Sequence, residues 1–318
     1  LAFEAWAFML PTITATVFLP FLQVMELPTE VVQVAPHVRP EADGKPTELK
    51  KTKDKAAFLV HGLMLHPIRP VKATLPDPHE WQQPRSNLVK NLADDFDIFS
   101  FGYAQTTPLD AVASTPGMRN GVARLKEAGY KEIVLIGHSA GGLIIRQFVE
   151  RFPDAGVTKV VQVAAPNYGS DLATINVGLP KPQVSFIKSL APTPRTLVAD
   201  ASEKIPEKID FCVVVCKLWG VQTDSLVVLD SQWSKDLQKQ GVPAVLVAIN
   251  HFDAMKAPHA VSTIGELARE KLVRWNPEQV ESCRTILFGK DADDAAVKNP
   301  RAKDRPLLRT IGKKILDR

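Results

Sequence analysis

Ile133-Val134-Leu135-Ile136-Gly137-His138-Ser139-Ala140-Gly141-Gly142 opens as a short apolar run and ends in a glycine-rich turn. Bounded upstream by Lys131-Glu132, the run reads as a parallel strand buried on both faces. Leu143-Ile144-Ile145-Arg146-Gln147-Phe148-Val149 follows, with apolar positions at helical spacing. A strand, then Gly-x-Ser-x-Gly, then a helix puts Ser139 on a sharp turn at the carboxyl end of a sheet. Gly137 and Gly141 stand two residues to either side of the serine. A side chain at either would meet neighbouring backbone, and the serine itself is held in a strained conformation. The amide of Ala140 opens the helix, so it points from a helix N-terminus toward any negative oxygen that forms beside Ser139.

Upstream, Ala56-Ala57-Phe58-Leu59-Val60 reads as a second buried strand, ending in His61-Gly62-Leu63-Met64. Downstream come three further strand-like runs, at Val157–Ala165, Phe211–Cys216 and Pro243–Ile249. The last runs into Asn250-His251-Phe252 and a helical stripe from Val261 to Leu272. Alternation of strands and helices in this order resembles the α/β-hydrolase superfamily, in particular its serine esterases and lipases, over about residues 55 to 275.

The resemblance implies a three-layer α/β/α sandwich with a mostly parallel sheet and a small lid insertion. It implies Ser139 as nucleophile, with the amides of Ala140 and Leu63 as oxyanion donors and Met64 as the fallback for Leu63. His61 then orients its loop and is not the base. The acid belongs after the strand Phe211–Cys216, where Asp224 stands, and the base after the last strand, at His251. The order Ser139, Asp224, His251 matches the fold's serine, acid, histidine order. The chemistry needs all three, since a serine hydroxyl is a weak nucleophile until an imidazole takes its proton and a carboxylate holds the imidazole's tautomer. His259 competes for the base, and Asp171, Asp230 and Asp253 compete for the acid. His138 is expected to turn away along the helix start. Met64, His138 and Tyr168, each beside one of these turns, are the candidates for substrate contact.

Composition is that of an ordinary globular protein, 45% hydrophobic and 23% charged over 318 residues. A net charge of +4, spread evenly, gives no argument for nucleic acid. Cys212, Cys216 and Cys283 are too few for a disulfide framework, and the first two fall in an apolar run as small hydrophobes. With no Cys-x-x-Cys and no His-Glu-x-x-His, no metal site is expected, and the implied chemistry needs no cofactor.

Three regions flank or interrupt the body. Residues 1–54 read as an apolar N-terminal segment, whose first 25 residues are expected to associate with a membrane or lie on the domain, followed by a linker rich in Pro, Glu and Lys. Residues 166–208 hold six prolines and no clean strand, and read as the lid insertion, with Val184, Phe186, Ile187 and Leu190 on one helical face. Residues 276–318 read as a charged tail ending in a basic amphipathic stretch, 306–316. The expected activity is hydrolysis of carboxylic esters, on a small-molecule or lipid substrate. Acyl transfer, thioester or amide cleavage by the same residues, and non-catalytic ligand binding, remain the alternatives.

Overall fold

Strands that are apolar on both faces can satisfy their backbone only inside a sheet covered by helices on each side. The computed structural model describes residues 26–37, 48–175, 179–201 and 204–289. Its strands are β1 (Thr29–Ala35), β2 (Lys55–Val60), β3 (Asp97–Tyr103), β4 (Glu132–His138), β5 (Lys159–Val163), β6 (Asp210–Lys217) and β7 (Ala244–Ala248). They form one sheet in the order β1-β3-β2-β4-β5-β6-β7. All neighbours are parallel except β1 and β3.

Side-chain alternation splits the core into two layers. Phe58, Val60, Phe101, Leu135 and Val213 point to one face, and Ala57, Leu59, Ile136, Val161 and Val214 to the other. Burying a side chain such as Phe58 or Phe101 contributes about 2 kcal/mol. The first face is covered by α2 (Leu109–Val112), α3 (Pro116–Glu127), α4 (Ala140–Arg151), α5 (Val184–Lys188), α7 (Leu229–Gln232), α8 (Lys235–Lys239) and α10 (Pro277–Phe288). The second is covered by α1 (Asn87–Leu92) and α9 (Pro258–Arg269). One more helix, α6 (Pro192–Ala201), lies with α5 in the insertion.

β3 lies to one side of β2 and β4 to the other. Connections from β2 therefore part at its carboxyl end, and the crevice this opens is where open α/β sheets place their ligands. Val60 is in register with Gly137, so the turns after β2 and β4 emerge side by side.

Two expectations need correction. Residues 29–35 are not linker: β1 pairs antiparallel with β3, Val31 opposite Phe101, and buried Gln33 exchanges bonds of 2.7 and 2.9 Å with the backbone of Lys50. An edge strand buries little, and the surrounding Pro and Glu mask its alternation. Residues 277–288 are not tail but α10, capped by Asn276 and docked through Val280, Cys283 and Leu287. Three apolar positions on one face are enough to dock a helix that is otherwise charged. Residues 1–25 and the basic stretch 306–316 lie outside the described residues. No helix among the described residues is long and apolar enough to cross a membrane.

Candidate active site

β4 ends at His138, and Ser139 turns the chain into α4 with φ 54° and ψ −124°. A non-glycine residue there costs on the order of 1–3 kcal/mol, so its surroundings must hold it. Two bonds do so: Ser139 N–H donates to the Val163 carbonyl of β5 at 2.8 Å, and the Ser139 carbonyl accepts from Gly142 at 2.9 Å. The close approach inferred at Gly141 is real. A Cβ there would lie 2.2 Å from the Val60 carbonyl oxygen and 2.4 Å from that of His61. Backbone of β2 and of α4 thus touch directly beneath the serine, which is left 9% exposed.

Asp224 lies in the turn after β6, whose ends are joined by the Thr223–Val228 bridge. Its carboxylate is fully buried. Oδ1 accepts from the amides of Leu226 (2.9 Å) and Val227 (2.8 Å), and Oδ2 from Nδ1 of His251 (2.7 Å). The His251 amide also donates to the Asp224 carbonyl at 2.9 Å, which ties the two loops at backbone level. Nδ1 of His251 therefore carries the proton, and Nε2 is left as the basic nitrogen. No hydrogen bond joins Ser139 Oγ to His251 among the described residues, a looseness common before substrate binds.

His138 does not turn away. Its ring packs against that of His251 with centroids 4.7 Å apart, and its Nε2 lies 3.0 Å from the His251 carbonyl oxygen. Burial first, and then the neighbouring His251, hold His138 well below the usual imidazole range. It stays neutral at pH 7, donates to that carbonyl, and adds no charge beside an imidazolium on His251. His138 thus supports the His251 loop.

The rivals fall away on geometry. His259 is exposed, its Nε2 3.3 Å from the Ala248 carbonyl. Asp171 and Asp230 are exposed at the starts of other turns, and Asp253 accepts from the Asn250 side chain at 2.7 Å.

Gly62 lies against Ser139, since a Cβ on it would sit 2.7 Å from Ser139 Cβ and 3.3 Å from its Oγ. The amides of Leu63 and Ala140 have no hydrogen-bond partner among the described residues, whereas that of Met64 donates to Gln105 Oε1 at 3.0 Å. Met64 is thereby removed as an oxyanion donor. His61 stacks on Tyr103 at 4.3 Å and its Nδ1 lies 2.8 Å from the Gly62 carbonyl oxygen. Burial lowers its pKa to about 4, so it is neutral and donates through Nδ1. Tyr168 is turned to another task. Its hydroxyl accepts from the Asp236 amide at 3.3 Å, beside the buried cluster in which Arg146 of α4 meets Glu150, Asn167 and Asp236. That cluster braces α4, the helix that follows Ser139, and Tyr168 lies half-buried beside it.

Two site residues carried no sequence signal. Gln105 follows β3, and Gln183 sits in the insertion, yet both bond the loop after β2. Neither belongs to a spaced motif. Cys212, Cys216 and Cys283 are free and buried, with burial pushing the thiols of Cys212 and Cys283 up to about 12. No group of three or more His, Cys, Asp or Glu among the described residues could hold a metal ion.

No protein-family model and no curated protein matches the chain. Solved structures do. The mature form of the Bacillus licheniformis lipase BlEst2 is similar with a TM-score of 0.52 and 12% identity, over 67% of this chain and 91% of that one. Its propeptide form is similar with a TM-score of 0.54 and 12% identity, over 78% of this chain and 55% of that one. Phospholipase PlaB from Legionella pneumophila is similar with a TM-score of 0.55 and 12% identity, over 76% of this chain and 65% of that one. The chain thus spans about half to two thirds of the length of the latter two structures. At such identities the likeness is one of architecture. Together with the strand order and the elbow, it establishes that this chain has the α/β-hydrolase fold.

Proposed function

We propose that this protein hydrolyses carboxylic esters through an acyl-enzyme on Ser139. The observation that carries the reading is a strained Ser139 at the carboxyl end of β4 together with a buried Asp224–His251 couple, whose bond of 2.7 Å leaves Nε2 as the basic nitrogen. Ser139 Oγ attacks the ester carbonyl carbon while its proton passes to His251 Nε2. The negative charge on the carbonyl oxygen is met by the amides of Ala140 and Leu63. Asp224 stays a carboxylate and stabilises the imidazolium. Collapse of the tetrahedral intermediate breaks the bond to the alcohol, which takes the proton from His251. Water, deprotonated by His251, then attacks the acyl carbon and releases the acid and Ser139.

Exposed apolar side chains at the carboxyl edge of the sheet favour an apolar substrate. Ile68 (91% exposed), Phe252 (64%), Leu65, Leu172, Ile175 and Trp219 all sit in loops that leave β2, β5, β6 and β7 at that edge. Large apolar groups left in water around a reactive serine suit an ester with an apolar acyl or alcohol part. The test is labelling by a fluorophosphonate, with rates on p-nitrophenyl esters of increasing acyl length. Label on Ser139 alone, and loss of turnover by 10³ or more in Ser139→Ala, are expected on the order seen for such nucleophiles. Label on another serine, or near-normal turnover in the variant, refutes the reading.

A further inference from the structure

A trans peptide places its C=O and N–H on opposite sides, so whatever grips the carbonyl of Gly62 aims the N–H of Leu63. That carbonyl is gripped twice, by Gln105 Nε2 at 2.9 Å and by His61 Nδ1 at 2.8 Å. The residues that follow are held as well. Gln105 Oε1 accepts from the Met64 amide at 3.0 Å. Gln183 Nε2 donates to the Met64 carbonyl at 2.6 Å and to Gln105 Oε1 at 2.9 Å, and Gln183 Oε1 accepts from the His66 amide at 3.0 Å. Both glutamines are buried, at 2% and 0% exposure. Turning the Gly62–Leu63 peptide over would break both bonds to its carbonyl and leave buried donors unpaired. Bonds to the carbonyl oxygen also polarise the peptide and strengthen its N–H as a donor.

We infer that Gln105 and Gln183 are positioning residues of the oxyanion hole, clamping the loop after β2 so that the Leu63 N–H stays aimed at the reacting carbonyl oxygen. The inference rests on the ester-hydrolase reading above. Neither glutamine touches the substrate. They act through Leu63, and Gln183 makes the insertion a part of the catalytic frame.

The test uses Gln105→Met and Gln183→Met, which keep chain length and remove the bonds. Turnover of a p-nitrophenyl ester is measured together with affinity for a trifluoromethyl ketone of the same acyl chain, which forms a tetrahedral adduct on the serine. Loss of one oxyanion donor costs about 10²- to 10³-fold in kcat, and a misaimed donor a fraction of that. The expected result is a kcat lower by about ten- to a hundredfold with KM within about threefold, and ketone affinity falling in step. Gln82→Met is the matched structural control. It also loses three side-chain bonds, to the carbonyls of Leu59 and Phe101 and from the His79 amide, and should lower the melting temperature while kcat stays within about twofold. Should a Met variant fail to fold, Gln183→Glu keeps the acceptor for His66, loses both donors, and carries the same expectation. An active parent whose clamp variants keep kcat, or lose it only as far as Gln82→Met does, overturns the clamp alone. A parent that neither turns over ester nor takes the fluorophosphonate overturns the clamp and the reading beneath it together.

Discussion

Asp224→Asn tests the site most sharply, because the structure dictates which way the new amide must face. Oδ1 of Asp224 takes two backbone N–H groups, from Leu226 and Val227, and Oδ2 takes one ring N–H, from His251. With the asparagine NH2 turned toward Leu226 and Val227, two donors would face two donors in a fully buried turn. Each orphaned group costs about 1–3 kcal/mol, so the amide oxygen must occupy the Oδ1 place. The NH2 then faces His251 and can only donate. His251 must present an unprotonated Nδ1 to it, which moves its proton to Nε2, the nitrogen meant to receive the proton of Ser139. The imidazole keeps its position and loses its function. Turnover should fall by about 10⁴, or about 5 kcal/mol of transition-state stabilisation, and recover in part at high pH, where hydroxide replaces the base. Steady-state kinetics on a p-nitrophenyl ester from pH 6 to 10, with near-ultraviolet circular dichroism to verify packing, measures this. A folded variant that keeps more than a tenth of the parent rate refutes the reasoning.

Three other expectations follow from the same geometry. His251→Ala should abolish acylation and His259→Ala should leave it within about tenfold, read from the rate of fluorophosphonate labelling; the opposite pattern would move the base to His259. Ser139→Gly should melt higher than Ser139→Ala by about 1 kcal/mol in equivalent stability, since glycine relieves the strain at φ 54° that alanine retains; equal melting temperatures would mean the turn stores no strain. Acid should destabilise the fold through its buried histidines. His61 titrates near 4 in the folded protein because burial disfavours its charge, against an ordinary 6.5. Its contribution, on the order of 3 kcal/mol, is complete above pH 6.5 and is lost as pH falls toward 4, with His138 shifted in the same direction. Melting temperatures should therefore fall between pH 7 and 5, and less steeply in His61→Gln, whose amide can still donate to Gly62. An unchanged slope would remove His61 from the account.

Elements buried on both faces were legible in the sequence because their periodicity is unbroken. β2, β4, β5, β6 and β7 stand where the apolar runs stand, and Ser139, Asp224 and His251 stand at or beyond the carboxyl ends of three of them. β1 and α10 were hidden because each meets the core along one side only, and charged or proline-rich neighbours dilute the signal. The clamp was hidden for another reason. Gln105 and Gln183 are 78 residues apart, and each bonds backbone, so no pattern of residue types marks them. The bonds of Tyr168 and Met64 were hidden in the same way: a hydroxyl bonded to the Asp236 amide and a backbone held by Gln105 and Gln183 follow no spacing.

The insertion that carries α5 and α6 is also crosslinked to the body at a second point. Arg195 of α6, almost wholly buried, pairs with Asp110 of α2 at 2.5 Å, and the same carboxylate accepts from Gln147 of the elbow helix α4. Ser189, just past α5, accepts from the Leu109 amide at 3.0 Å. With Gln183 bonded to the loop after β2, the segment is tied to the body near both of its helices, through side chains that are buried apart from the half-buried Asp110. To swing it outward would part Arg195 from Asp110 and break the bonds of Gln183 and Ser189 together. The described part of the segment is therefore set against the body as the chain folds, and the wall it gives the loop after β2 is fixed at that moment.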